Sequence, residues 1–203
     1  MKKLLKKAFP ALMCLFMLFL LAGLFTACTL NDKPDVSGNF AAVPDAQLDT
    51  ASQEDGSRAI TNVPLIHKYS GKYVCSNSLV NYAEVFLYSP IPTGFTSYFQ
   101  YDFIGASDDI NYTYIRHKAS GKYLCCNSTS NGAYLFFYGP IPAGAEDMFK
   151  FKIMYSGTGN YYYFQHKYSG KYMCTGATEN FGRLHLWGPI PAGHEDRYRF
   201  RYY

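Results

Sequence analysis

Three consecutive stretches of this chain, each 40 residues long, align with one another without a gap. Repeats 1, 2 and 3 span residues 65–104, 115–154 and 164–203, so their starts lie 50 and then 49 residues apart. Twelve positions are identical in all three copies. Any fold adopted by this sequence must therefore arrange three equivalent units around a shared core.

Turn-forming segments recur at two places in each repeat. The first is His-Lys-x-Ser-Gly-Lys-Tyr-x-Cys, beginning at His67, His117 and His166. Its glycine can adopt positive φ, which predicts a tight hairpin. The second is Pro-Ile-Pro, which cannot lie inside a sheet and so indicates a longer turn. Between these turns, short runs rich in aromatic and β-branched residues predict about four strands per repeat.

Three equal all-β units that close on one another predict a β-trefoil over residues 62–203. Propeller blades and solenoid coils have repeats of similar length. A propeller, however, typically needs at least about four blades, and a solenoid needs atypical end repeats. A segment of this length can build one well-packed core. The best candidates for that core are Val74, Leu124, Met173, Val85, Leu135 and Leu184.

Residues 1–27 have the layout of a secretory signal peptide. Four lysines precede an apolar run from Ala8 to Phe25, and small residues precede Cys28. The segment 24–28 resembles the bacterial lipobox. That resemblance implies an acylated Cys28 anchoring an exported protein in the cell envelope, in the outer membrane or at the cell surface. An ordinary cleaved signal peptide and a transmembrane helix over the apolar run are the alternatives.

Residues 28–61 predict a disordered tether, because they are polar and show no sustained apolar period. Residues 29–61 carry six acidic and two basic side chains, whereas residues 62–203 carry nine acidic and thirteen basic ones. These charges offset each other once the lysines of the signal peptide are removed. The sequence therefore does not predict nucleic acid as a partner.

Three segments of repeat 3 resemble the ricin-type β-trefoil lectins. They are Tyr-Phe-Gln-His-Lys-Tyr-Ser-Gly-Lys-Tyr-Met-Cys at 163–174, Leu-His-Leu-Trp at 184–187 and Asp-Arg-Tyr-Arg-Phe at 196–200. The resemblance extends over residues 64–203 and implies a carbohydrate or glycoconjugate partner. Lectins of this type hold a sugar in a shallow pocket in each repeat. The pocket uses an aspartate after the first hairpin, an aromatic platform and a polar pair near the last strand.

When the binding positions of these lectins are transferred to the aligned positions of this chain, the residues found there differ among the repeats. The aspartate position falls on cysteine in every copy, and a thiol cannot replace a carboxylate that accepts two hydrogen bonds. In repeat 1 the polar pair is reduced to Thr96 and Ser97, so we expect repeat 3 to bind most strongly and repeat 1 most weakly. The predicted sugar-binding residues are Tyr88, Tyr138, Glu146, Asp147, His185, Trp187, Glu195 and Asp196.

A second interpretation remains open at this point. The platform aromatics can instead close one end of the barrel, and the acidic pairs can be solvated turn residues. The protein would then be a non-catalytic protein-interaction or envelope-structural lipoprotein that has lost sugar binding. Neither interpretation includes catalysis or a cofactor, because no motif in the chain activates a nucleophile or cradles a phosphate.

The repeated histidines and cysteines allow two further readings. One histidine from each repeat could converge on a metal ion. Each precedes a hairpin whose turn it can bond, however, so no metal site is predicted. Cys75, Cys125, Cys126 and Cys174 form an even number in an exported chain, which normally suggests disulfides. Three of them occupy equivalent positions too far apart to pair, so buried reduced thiols are expected.

Overall fold

The computed structural model describes residues 59–203. The predicted signal peptide, Cys28 and all but the last three residues of the predicted tether lie outside this range. The first strand begins at Ile60, two residues before the predicted start of the domain. Between residues 59 and 203, no helix is long and apolar enough to cross a membrane.

The described residues form strands joined by turns, with short 3-10 segments at 96–99, 146–148 and 195–198. Repeat 1 and its flanking residues contain β1 Ile60–His67, β2 Tyr73–Cys75, β3 Ala83–Glu84, β4 Phe86–Tyr88 and β5 Gln100–Ala106. Repeat 2 and its flanking residues contain β6 Asp109–His117, β7 Tyr123–Cys125, β8 Ala133–Tyr134, β9 Phe136–Tyr138 and β10 Lys150–Tyr155. Repeat 3 contains β11 Tyr162–His166, β12 Tyr172–Cys174, β13 His185–Trp187 and β14 Phe200–Tyr202.

Six of these strands form a closed antiparallel barrel. Their order is β1, β5, β6, β10, β11 and β14, and β14 pairs again with β1. Each repeat contributes its first and last strand to this barrel. Closure leaves no free sheet edge among the six strands, which removes the usual route to edge-to-edge aggregation.

Three hairpins form a second layer next to the barrel. They pair β2 with β4, β7 with β9 and β12 with β13. Adjacent hairpins are joined by β3 on β9, by β8 on β13 and by a bridge between Phe86 and Arg183. Each hairpin therefore contacts both of its neighbours, and the repeats are related by approximate threefold symmetry. The predicted β-trefoil is confirmed.

The shared core lies where the barrel meets the three hairpins. All six predicted core side chains are buried, with at most 1% of their surface exposed. The hairpin glycines Gly71, Gly121 and Gly170 have φ values of 70°, 66° and 68°, as the turn prediction requires. Short-range turn chemistry and long-range burial thus favour the same fold in all three copies.

Each repeated histidine connects its hairpin to a different repeat. The Nε2 atoms of His67, His117 and His166 lie 3.1, 3.0 and 2.8 Å from the carbonyl oxygens of residues 197, 98 and 148. A carbonyl can only accept, so Nε2 carries the proton. Nδ1 then accepts from a serine hydroxyl of the turn, at 2.9 to 3.0 Å. The expected hydrogen bond between each histidine and its turn is confirmed.

These histidines are neutral in the folded protein. Burial lowers the pKa of His67 and of His117 to about 4, and it also lowers the pKa of His166. Their rings are fully buried. Within residues 59–203, no group of three or more histidine, cysteine or acidic side chains is arranged to hold a metal ion.

Candidate functional site

The predicted platform aromatics are Tyr88, Tyr138 and Trp187, and each lies beside a residue contributed by another repeat. The backbone amides of Tyr82, Gly132 and Phe181 donate to the carbonyl oxygens of residues 137, 186 and 87, at 2.8, 2.8 and 2.7 Å. The side chain of the asparagine that precedes each of these residues accepts a hydrogen bond of 3.0 to 3.1 Å. The donor is the backbone amide of the residue that directly follows the platform aromatic of the neighbouring repeat. We call residues 82, 132 and 181 the cover positions, because each lies over the platform of the adjacent repeat.

Two of the three cover positions carry an aromatic ring. The ring of Tyr82 packs on Phe136 and Tyr138 of repeat 2, with centroids 5.2 and 5.1 Å apart. The ring of Phe181 packs in the same way on repeat 1. Tyr82 and Phe181 have φ values of 65° and 66°. This left-handed backbone costs a residue other than glycine about 1 kcal/mol, so the packing of the ring must offset the strain.

The third cover position is Gly132, and it leaves the platform of repeat 3 open. Its backbone has the same left-handed conformation, with φ at 82°, and no atom lies within 4 Å of the place where its Cβ would stand. As a result, 40% of the Trp187 side chain is exposed. The indole has a neighbour in His185, whose ring centroid lies 6.5 Å away in an edge-on orientation.

The space beside each platform also differs among the repeats. In repeat 1 Phe95 lies there, and its ring packs on Tyr98 at 5.5 Å within an apolar cluster. In repeat 2 the equivalent of Phe95 is Ala145, and a cleft of about 150 Å³ remains beneath Tyr82. In repeat 3 the equivalent is His194, and the cleft measures about 430 Å³. The repeat-3 cleft is therefore the larger of these two.

The repeat-3 cleft combines an aromatic surface with several polar side chains. Its platform is Trp187 and its floor is Cys174, while its polar lining consists of Thr175, His185, His194 and Arg197. The repeat-2 cleft contains Met148 at the position equivalent to Arg197 and is mainly apolar. The repeat-3 cleft is thus the candidate functional site of the chain.

The repeated cysteines lie beneath the platforms as neutral thiols. All four cysteines among residues 59–203 are buried and unpaired, as predicted. Burial raises the pKa of Cys174 to about 12 and raises those of Cys75 and Cys125 as well. The Cys174 thiol shares a hydrogen bond with the Tyr198 hydroxyl. The floor of the cleft therefore carries no negative charge near neutral pH.

The acidic pair of repeat 3 lies outside the lining of the cleft. The Glu195 carboxylate accepts a hydrogen bond of 3.1 Å from the backbone amide of Gly193, which fastens the turn. Asp196 pairs with Lys68 at 2.9 Å and with Arg199 at 2.8 Å. Lys68 belongs to repeat 1, so this ion pair connects two repeats.

The acidic pair of repeat 2 has the same arrangement. Glu146 accepts a hydrogen bond of 2.9 Å from the amide of Gly144, and Asp147 pairs with Lys150 at 3.4 Å and with Lys167 at 3.2 Å. These carboxylates are absent from the lining of the repeat-2 cleft. The structure thus brings Trp187 and His185 together in one cleft, whereas none of the four carboxylates lines either cleft. A role of the carboxylates in sugar binding stays a prediction.

Several solved structures resemble this chain. A designed threefold-symmetric protein, ThreeFoil, superposes with a TM-score of 0.59 at 23% identity, covering 69% of this chain and 96% of its own. The Rhizoctonia solani agglutinin gives a TM-score of 0.57 at 9% identity, covering 75% and 98%. An exo-β-1,3-galactanase from Clostridium thermocellum gives 0.60 at 20% identity, covering 70% of this chain but only 30% of the enzyme.

The domain is a β-trefoil. Both its strand pairing and these superpositions show that fold, and trefoil lectins are among the similar structures. No model of a known protein family matches the sequence. No curated protein matches it at a significant level.

The predictions made from the sequence did not include the cover positions or the two cleft residues His194 and Arg197. The aligned repeats did contain a signal for the cover positions, because this position is Tyr, Gly and Phe at residues 82, 132 and 181. Which platform each cover position lies over depends on pairing between repeats in the trefoil. That pairing joins residues about 50 to 100 positions apart and leaves no local pattern in the sequence.

Proposed function

We propose that this chain is a lipid-anchored envelope protein whose trefoil binds carbohydrate in the repeat-3 cleft, without catalysis. The observation that carries the proposal is the exposed face of Trp187 opposite Gly132, above a cleft with polar walls. The platforms of repeats 1 and 2 are covered by Phe181 and Tyr82. The proposal therefore places one principal site on each chain.

The chemistry of the cleft suits a sugar ring. A pyranose has an apolar C–H face that can pack flat on an indole, and hydroxyl groups along its edge that need directional partners. Trp187 offers the flat surface, and Thr175, His185, His194 and Arg197 offer hydrogen-bonding groups around it. The names of two similar structures, an agglutinin and a galactanase, are consistent with carbohydrate as the ligand class.

One shallow site binds weakly. A single sugar contact of this kind corresponds to a Kd of about 1 mM, or about −4 kcal/mol. Useful retention would then require many chains on one surface, so that each bound sugar raises the local concentration of the next. Multiple acyl chains on Cys28 would provide such clustering and a lasting attachment to the envelope.

The sugar-binding proposal is tested by comparing equivalent platform variants. Trp187→Ala should abolish retention of the protein on the best ligand of a glycan array, while Tyr88→Ala should leave retention unchanged. Circular dichroism and thermal unfolding verify that both variants fold. Equal retention of the two variants would remove the repeat-3 cleft as the site, and failure of the unmutated protein to bind any glycan would overturn the proposed function.

The anchoring proposal needs a separate test. The mature N-terminus should begin at Cys28 and carry acyl chains, detectable as added mass on the N-terminal peptide. Cys28→Ala should release the protein from the membrane fraction. Recovery of the variant in the membrane fraction, or an unmodified mature N-terminus, would contradict the lipid anchor.

A protein-binding role is the second candidate, and one observation favours it. The floor of the cleft carries Cys174 at the position where ricin-type lectins use an aspartate, so one hydrogen-bond acceptor for sugar is missing. Exposed aromatics such as Tyr134 and Trp187 also suit a protein interface. Crosslinking in envelope extracts through a photoreactive group at position 134 would identify such a partner, and specific elution by free sugar would argue against it.

A further inference from the structure

Arg197 distinguishes the repeat-3 cleft chemically from the other two repeats. The equivalent residues are Tyr98, which is buried, and Met148, which is apolar. The Arg197 guanidinium packs beside Gly176, with Nη1 3.5 Å from the place where a Cβ of that residue would stand. In the other repeats this position is Asn77 or Asn127. Gly176 thus leaves room for the guanidinium at the edge of the cleft.

The positive charge of Arg197 has no carboxylate partner among the described residues. Its guanidinium lies over the ring of Tyr69, 5.3 Å from the centroid, and forms none of the ion pairs found in residues 59–203. The nearest acidic residue in sequence, Asp196, is already paired with Lys68 and Arg199. Asp196 thus pairs with these two residues and not with Arg197.

The remaining lining of the cleft contains no carboxylate. Burial lowers the pKa of His185, so its imidazole is neutral near pH 7 and can either donate or accept. Burial also keeps the Cys174 thiol protonated. Arg197 thus provides a positive charge in a cleft whose lining holds no carboxylate to pair with it.

We propose that the repeat-3 cleft selects saccharides that carry a carboxylate, with Arg197 pairing with that group while the sugar ring lies on Trp187. The inference rests on the proposed function and names its ligand class. A planar guanidinium can donate two parallel hydrogen bonds to a carboxylate, a geometry that gives both strength and orientation. A neutral sugar would offer the guanidinium only hydroxyl oxygens, which are weaker hydrogen-bond acceptors than a carboxylate.

The test compares three ligands on the full chain. They are a neutral oligosaccharide, the same oligosaccharide with a terminal carboxylated sugar, and the same oligosaccharide with a sulfate ester. Titration is followed by the fluorescence of Trp187, which is the one tryptophan in the chain. The carboxylated ligand should bind about tenfold more tightly than the neutral one, equivalent to about 1.4 kcal/mol, and more tightly than the sulfated one.

Arg197→Met is the decisive variant, because it introduces the residue that repeat 2 already carries at this position. It should remove the preference for the carboxylated ligand, so that its affinity and that of the neutral ligand agree within about twofold. Lys122→Gln, on the hairpin of repeat 2, removes the same charge elsewhere and should preserve the preference.

Three results would overturn the proposal. They are equal affinity for the neutral and carboxylated ligands, a preference that persists in Arg197→Met, and a stronger preference for sulfate than for carboxylate. In each of these cases sugar binding itself would stand. If the unmutated chain binds none of the three ligands at millimolar concentration, the proposed function fails together with the inference.

Discussion

The backbone amide of Gly132 donates a 2.8 Å hydrogen bond to the carbonyl oxygen of Leu186, in the strand that carries Trp187. The equivalent bonds in the other repeats place the rings of Tyr82 and Phe181 over their neighbouring platforms. One missing side chain therefore separates an open site from two covered ones. The shared backbone geometry makes this difference directly testable.

Gly132→Tyr should cover the repeat-3 platform in the way that Tyr82 covers that of repeat 2. We expect glycan retention to fall at least about tenfold and acrylamide quenching of Trp187 fluorescence to decrease. Gly132→Ala is the matched control, since it incurs the same left-handed strain of about 1 kcal/mol without adding a ring. Unchanged quenching in the folded tyrosine variant would contradict the role assigned to the cover position.

Asp196→Asn should weaken the connection between repeats 3 and 1 but leave sugar affinity unchanged. The paired side chains are partly exposed, so we expect a loss of at most about 1 kcal/mol in the free energy of unfolding by urea. Retention on the glycan should be the same as for the unmutated chain. A loss of retention without a change in stability would instead support the sequence-based assignment of Asp196 to the sugar site.

Stability should decrease as the pH falls from about 6.5 to about 4. Burial lowers the pKa of His67 and His117 to about 4, so the unfolded chain binds more protons than the folded one within this window. Because of this difference in proton binding, His67 and His117 should each lower the free energy of unfolding by about 2 kcal/mol between pH 6.5 and pH 5. Urea titration at the two pH values measures the change.

His117→Gln provides the control for that pH dependence. It should lower stability at pH 7, because the ring connects a hairpin to the carbonyl of Tyr98, and it should also reduce the loss between pH 6.5 and pH 5. Equal unfolding free energies at the two pH values in the unmutated chain would show that the histidines titrate normally when folded.

Tyr101→Phe should stabilise the trefoil by about 1 kcal/mol. The Tyr101 hydroxyl is buried in the core without a hydrogen-bond partner in the described structure, and a buried unsatisfied hydroxyl is costly. Repeats 2 and 3 carry Phe151 and Phe200 at this position. The converse substitution, Phe151→Tyr, should destabilise by about 2 kcal/mol in thermal or urea unfolding. Destabilisation by Tyr101→Phe would imply that the hydroxyl has a partner.

Much of the fold could be read from the sequence because its determinants are local and repeated. Gly71 and its equivalents specify hairpins through their backbone conformation, and residues such as Val74 and Leu124 lie on short strands rich in apolar and aromatic residues. Three copies of the same pattern reduce the possible architectures to a few closed arrangements. Tyr101 is an exception, since nothing near it in sequence shows that its hydroxyl lacks a partner.

The candidate site was predicted only in part. The positions of Trp187 and His185 followed from the family resemblance, and the structure places both in the repeat-3 cleft. The same resemblance selected Glu195 and Asp196, whose role in sugar binding stays a prediction; in the structure they fasten a turn and pair with Lys68 and Arg199. Position within a repeat does not reveal whether a charged side chain is already paired with another repeat.

The sequence by itself determined the trefoil, its hairpins, its buried core and its unpaired cysteines, because turn conformation and burial are encoded within each 40-residue copy. Tertiary structure alone decided which platform is open. Each cover residue lies far along the chain from the platform it contacts, and cyclic closure of the repeats brings the two together. Gly132 thus exposes Trp187 of the next repeat, and Arg197 lies in that cleft without a carboxylate partner, while Asp196 pairs with Lys68 of repeat 1 and with Arg199.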